Sequence, residues 1–247
     1  MNVGDRLLEL AHTDERAVLF TVVEGREAGA RLLVLLDRNE TVGDASAALA
    51  ALAPEIRRNG IHEIEGSKVF AEVYGPPPRL VVIGAVDTAE ALCAAAGMLG
   101  WHTICADPRA AFATRERIPS ADELIVEWPD DALARIAPDH NTAVVVLTHD
   151  DKFDLPALKA ALRSAAFYVG AIGSRSTQAK RRERLLEEGL TEAELAQIYG
   201  PSGLDVGADT PAEQAISILS EALAVRAGRL GTPLKTAAGR IHVEEES

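Results

Sequence analysis

At 247 residues, 47% hydrophobic and 26% charged, the chain has the composition of a globular protein long enough for two modest domains. Its formal net charge of −13, from 25 Lys and Arg against 38 Asp and Glu, argues against a nucleic-acid binder and against attachment to anionic lipid. No apolar stretch reaches membrane-spanning length, and the first residues lack the apolar centre of a signal peptide. Cys93 and Cys105 have neither Cys-x-x-Cys nor zinc spacing, so the expectation is a cytoplasmic protein with free buried thiols and no metal site.

In chain order, Asp5 to His12 carries Leu7, Leu8 and Leu10 as a short amphipathic helix. Ala17 to Val23 and Ala30 to Leu36 are β-rich runs joined by GREAG, a hairpin-like connection. The polar DRNETVG follows, then an alanine-rich helix from about Ala45 to Arg58, stopped by Asn59-Gly60. Lys68 to Tyr74 is another strand. Gly75-Pro76-Pro77-Pro78 can continue neither a sheet ladder nor a helix, so a domain border is expected there. This reading divides the chain into a small N-terminal α/β domain (1–75), a larger domain (79–228) and a tail (229–247).

The second part alternates strand and helix. Arg79 to Ile83 is a β-branched run suited to a fully buried parallel strand, ended by Gly84 and Ala85. A helical pattern from Thr88 to Leu99, the break at Gly100 and a strand from His102 to Ala106 complete a βαβ unit. Asp107, at the tip of the second strand, stands where a ribose hydroxyl is gripped in dinucleotide-binding folds. The glycine fingerprint is incomplete, because Gly84-Ala85-Val86-Asp87-Thr88-Ala89 puts Val86 where backbone must approach a pyrophosphate. Asp87 adds a like charge at the helix start, so NAD(P) is expected to bind weakly or not at all.

Further strands are expected at Glu123–Val126, Thr142–Leu147 and Ala166–Ile172, with helices at Pro129–Ile136, Leu155–Ser164 and Ser174–Glu188. Such alternation predicts an α/β fold: a Rossmann-like doubly wound parallel sheet of order 3-2-1-4-5, beside a smaller N-terminal α/β domain. Gly84–Asp87 and Thr148–Asp150 would then line the crevice at the switch point. Two Thr-x-x-Glu boxes, at Thr191–Glu194 and Thr210–Glu213, open later helices.

Three segments could carry chemistry. His149 and Asp150 sit at the mouth of the fourth strand, His149 as proton carrier or polar anchor, or simply as a loop histidine. Gly173-Ser174-Arg175 turns into a helix whose first N–H groups, with the Arg175 guanidinium, suit an anion. The basic run Lys180–Arg184 reads as a solvated helix face. The loop Pro201–Pro211 offers Asp205 as an acceptor, or is only a helix entry.

In this order, ADPRAAFATRERIPSAD, VVVLTHDDKFDLPAL, FYVGAIGSRST and GLDVGADTPAEQAISIL resemble the XdhC/CoxI family from Arg79 to about Ala227. The resemblance implies an accessory protein with a Rossmann domain C-terminal to a smaller one. Such a protein binds molybdenum cofactor, as molybdopterin or its cytosine dinucleotide form, and delivers it to a molybdenum hydroxylase apoenzyme such as xanthine or carbon monoxide dehydrogenase. The combined reading is of binding rather than catalysis, with Gly84, Asp107, His149, Asp150, Gly173, Ser174, Arg175 and Asp205 as the candidate cofactor-binding set and no catalytic residue. The family's glycine-rich, cysteine-bearing segment is here VGDASAALAAL, without cysteine. Alternatives are an NAD(P)-dependent oxidoreductase using Asp107 and His149, or a ligand-free interaction module that docks on one component of a hydroxylase; whether the chain forms a homodimer is left open.

Overall fold

The computed structural model describes residues 2–10, 13, 15–56 and 59–237. His12 and Arg58, the expected ends of two helices, and the tail beyond residue 237 lie outside the described residues. The chain forms two compact units, Met1–Pro76 with the chain from Thr232, and Pro77–Gly231.

The first unit begins with α1 (Val3–Leu10), β1 (Ala17–Glu24), β2 (Arg31–Leu35) and β3 (Glu40–Gly43). It continues through α2 (Ala48–Leu52), β4 (Gly60–Ile64) and β5 (Ser67–Tyr74). The strands make an antiparallel sheet of order β3-β2-β1-β5-β4. β1 is central and apolar on both faces. Val18, Phe20 and Val22 pack with Leu49 and Ala53 of the α2 region, while Ala17 and Leu19 pack with Leu10 of α1. Two strands escaped the sequence reading, β3 inside DRNETVG and β4 after Asn59. Both are edge strands with a single partner, so neither needs the apolar run of a central strand. The alanine-rich helix is shorter than expected, because Pro54 follows it and the chain tightens into a 3₁₀ turn over Ala53–Glu55.

The second unit starts with β6 (Arg79–Ile83), α3 (Asp87–Met98), β7 (His102–Ala106), β8 (Glu123–Ile125), α4 (Pro129–Ile136) and β9 (Thr142–Val146). It ends with α5 (Asp151–Leu162), β10 (Tyr168–Ala171), α6 (Arg175–Glu187), α7 (Glu192–Leu195), β11 (Ile198–Tyr199) and α8 (Pro211–Arg226). Six parallel strands run in the order β11-β10-β9-β6-β7-β8, the expected doubly wound sheet with a sixth strand at one edge. β11 has two residues, too few for any periodicity to show. On one face α3 and α8 bury Leu92, Ala96, Ile218 and Leu219 against the strands. On the other, α4, α5 and α6 bury Leu133, Leu158, Leu162 and Leu185. α5 starts four residues before the expected Leu155, because Asp150 caps it and Pro156 is tolerated inside it.

Register positions the site. Ile83 is level with Ala106 and Val146, Ala106 with Ile125, and Val146 with Ala171. The chain therefore leaves four neighbouring strands at one height, through Gly84, Asp107, Leu147–Thr148 and Ile172–Gly173. At Gly84 the turn needs φ +108°, and a Cβ there would lie 2.7 Å from Thr148 Cγ2. Gly97, inside α3, has no such neighbour within 4 Å. Gly84→Ala should lower stability by more than about 1 kcal/mol, whereas Gly97→Ala should raise it by about 0.5–1 kcal/mol. Urea unfolding of the two variants checks this, and equal effects would contradict it.

Candidate functional site at the carboxyl edge of the parallel sheet

The turn after β6 folds back on its neighbours. The Gly84 amide donates to Ala106 O at 2.8 Å, and the Ala85 amide donates to Asp107 Oδ2 at 2.9 Å. Val86 caps α3 without any side-chain bond and packs against the apolar core. Asp87 is exposed, with Arg117 3.7 Å away.

Asp107 is fully buried, and its acceptors are filled from within the chain. Oδ1 accepts from the Arg109 backbone amide at 2.9 Å and from Arg109 Nε at 2.8 Å. Oδ2 accepts from Arg109 Nη2 at 2.7 Å as well as from Ala85. Burial pushes the Asp107 carboxyl up, but the Arg109 guanidinium and the two amides together hold it below the usual carboxylate range. The carboxylate read from sequence as a ribose grip is thus already gripped.

Arg109 itself was not singled out from the sequence. The Asp-Pro-Arg spacing, which lets a guanidinium fold back two residues, is the signal that could have found it. Its guanidinium lies 4.0 Å from the centre of the Phe112 ring and 5.6 Å from that of Phe153. Lys152 lies over Trp128 and Phe153 in turn, at 4.9 and 5.6 Å. The Asp150 carboxylate acts on the Arg109 charge, so the β7 and β9 turns share one electrostatic environment.

His149 and Asp150 are exposed. Asp150 is the N-cap of α5, accepting from the Lys152 amide at 3.0 Å. Beneath them Thr148 is buried, and its hydroxyl donates to Asp154 Oδ1. Asp154 Oδ2 accepts from Arg181 Nη2 at 2.5 Å. Arg181 is 2% exposed, which corrects the reading of Lys180–Arg184 as a solvated face. The other members of that run are exposed, and Arg181 alone turns inward because α6 shows its neighbours to solvent.

Gly173 makes the turn into α6 with φ +124°. Ser174 caps the helix, accepting from the Thr177 amide at 3.1 Å, and its hydroxyl bonds that of Thr177 at 3.0 Å. The Thr177 amide is therefore not among the first N–H groups of α6 left for an anion. Arg175 is exposed and lines a groove of about 430 Å³ with Gln178, Arg182, Leu195, Ile198 and Gly200. Asp205 is exposed in the loop between β11 and α8. That loop is tied to the same edge through the Ser202 amide, which donates to Ala171 O at 3.0 Å, and the Gly203 amide, which donates to Glu221 Oε2 at 2.8 Å. Thr88 Oγ1 donates to Gln214 Oε1 at 3.1 Å, joining the first turns of α3 and α8. Among the described residues no group of three or more His, Cys, Asp or Glu could hold a metal ion. Cys93 and Cys105 are buried, and burial pushes the Cys93 thiol up to about 12.

A model of the XdhC Rossmann domain matches residues 80–222, the whole of this edge and the sheet behind it. The chain belongs to the XdhC family. It is 30% identical over 165 residues to a probable xanthine dehydrogenase component from Bacillus subtilis, covering 67% of this chain and 48% of that one. It is 39% identical over 99 residues to the molybdenum cofactor insertion chaperone PaoD of Escherichia coli, covering 40% of this chain and 30% of that one. The crystal structure of a protein described as a xanthine dehydrogenase, from Bacillus halodurans, superposes with a TM-score of 0.65 at 26% identity, over 92% of this chain and 65% of that one. This XdhC member thus spans less than two thirds of the relatives it matches. Among its described residues, no helix is long and apolar enough to cross a membrane.

The sealed Asp107 has a pH signature. With its carboxyl held low, Asp107 contributes stability above the ordinary carboxylate value, lost as pH falls through the depressed one. Arg109→Ala removes the guanidinium and lets that carboxyl rise. The stability gap between wild type and variant should then widen as pH increases from about 4 toward neutrality. Denaturant titrations at several pH values measure it; a gap that does not change with pH would contradict the pairing.

Proposed function

We propose that this chain binds molybdenum cofactor at the carboxyl edge of its parallel sheet and hands it to a molybdenum hydroxylase apoenzyme. The observation that carries the reading is the occupation of Asp107 by Arg109, which takes the ribose grip out of use and leaves a cation over aromatic rings in its place. The likeness to a molybdenum cofactor insertion chaperone supports the choice of ligand.

The donors at this edge suit a phosphate-bearing, planar ligand. Arg109 spends Nε and Nη2 on Asp107, and Nη1 faces no carboxylate among its described bonds. The amides of Arg175 and Ser176 stand in the first turn of α6, where N–H groups and the helix dipole favour an anion. The Arg175 guanidinium adds a bidentate partner. His149 is an exposed polar residue just past the end of β9, the strand between β10 and β6, and Asp150 holds the first turn of α5 in place. The cofactor supplies its redox chemistry in the client enzyme; no bond need be made or broken here, so these side chains bind, orient and release. Either form, molybdopterin or its cytosine dinucleotide, presents a phosphate to these donors. The partner would be a cofactor-free hydroxylase, met in the cytoplasm.

Incubation with molybdenum cofactor released from a purified hydroxylase, gel filtration, and fluorescence of the oxidised pterin in the protein fraction test this. Wild type should retain pterin, and Arg175→Ala should lose affinity about ten- to a hundredfold, the effect of one charge-assisted bond. Lys180→Ala, further along α6, should change little. Equal losses would mean diffuse electrostatics. No pterin on wild type, or low-micromolar NAD binding by calorimetry, would overturn the proposal.

A further inference from the structure

The backbone ladder between β9 and β10 ends where the Ile172 amide donates to Val146 O at 3.1 Å. Past that bond the chain turns away on both strands, into Thr148–Asp150 and Gly173–Arg175. A buried side-chain relay spans what the ladder leaves open. Thr148 Oγ1 donates to Asp154 Oδ1 on α5, and Asp154 Oδ2 accepts from Arg181 Nη2 on α6 at 2.5 Å. Arg181 Nη1 then donates to Ile172 O at 3.1 Å and to Gln178 Oε1 at 2.7 Å. Gln178 Nε2 closes the relay on Ala171 O and Ile172 O, at 3.0 and 3.1 Å. Thr148 reaches a third strand as well, since its methyl carbon fills the space beside Gly84.

We propose that Thr148, Asp154 and Arg181 are positioning residues that fix the His149 turn against the Gly173–Arg175 turn, so that the two present one ligand surface. The proposal rests on the reading of that edge as the cofactor site. Stability alone does not call for an ion pair here. α5 and α6 already bury Leu158, Leu162 and Leu185, and an apolar replacement of a buried pair is often neutral or stabilising. An ion pair adds direction, because the planar guanidinium fork accepts its partners only at set angles. Asp154 and Arg181 are 1% and 2% exposed, so water cannot replace either partner.

The test begins without ligand. Thr148→Val keeps the shape and the methyl beside Gly84 but removes the donor. Hydrogen–deuterium exchange on the full chain should show the bonded amides of this turn, those of Ile172, Thr177 and Gln178, exchanging about tenfold faster, with β6 and β9 unchanged, and Thr148→Ser should restore them. The paired substitution Asp154→Leu with Arg181→Met fills the same space with apolar atoms. It should show the same local loss with an unaltered melting transition. On addition of hydroxylase-derived molybdenum cofactor, Thr148→Val should bind about tenfold more weakly than Thr148→Ser. Unchanged exchange at Ile172, Thr177 and Gln178 in either apolar variant would overturn the proposal, as would acceleration spread over the whole sheet. Wild type that retains no cofactor would refute the functional reading alone, and the ligand-free exchange result would still decide the coupling.

Discussion

The level ends of β6, β7, β9 and β10 are the constraint on which the rest of the second unit depends. A parallel ladder fixes neighbouring strands to within one residue, and a slip of one would turn each side chain to the opposite face. Because β6 and β9 are adjacent while their following helices cover opposite faces, the switch point of the sheet lies between them, with their carboxyl ends side by side. Gly84 permits this close approach, with no room for a Cβ beside Thr148. The polar groups of the edge are then distributed by depth. Asp107 is buried and held by Arg109 and the Ala85 amide, Thr148, Asp154 and Arg181 are buried in a second bonded set, and His149, Arg175 and Asp205 face solvent.

A dinucleotide-binding architecture can thus be kept while its ligand contacts are withdrawn. The Asp107 carboxylate survives in its usual place at the tip of the second strand, yet it serves the chain's own Ala85 amide and Arg109. The result is a rigid turn with a guanidinium laid over Phe112. For the proposed carrier role this has a physical logic. Donors held by buried partners are preorganised, so a ligand is met without ordering the turn, and exposed contacts such as Arg175 leave it free to depart.

Much of this was legible in the sequence, for identifiable reasons. Arg79–Ile83 and Thr142–Leu147 are continuous β-branched runs, as strands buried on both faces must be, and they gave the core of the sheet and its order. Thr191–Glu194 and Thr210–Glu213 form reciprocal capping boxes, because a cap is a local device that needs no tertiary knowledge. The edge strands β3, β4 and β11 were hidden, since an edge needs neither length nor an apolar face. In the site, glycines and exposed polar residues stood out, while the pairings did not. Arg181 reads as one of several basic residues on a helix, and only packing shows it meeting Asp154, twenty-seven positions earlier. The pairing of Arg109 shows only in three dimensions, where its guanidinium covers the Asp107 carboxylate.

The cofactor site proposed for this chain is the carboxyl edge of the parallel sheet. Its most direct test is anomalous diffraction at the molybdenum absorption edge from crystals of the full chain loaded with the cofactor. A molybdenum peak is expected over the ends of β6, β9 and β10, with density for a phosphate near Arg109 or the first turn of α6. A peak on the antiparallel sheet of the first unit, or on the opposite edge of the parallel sheet near Arg79, would contradict it.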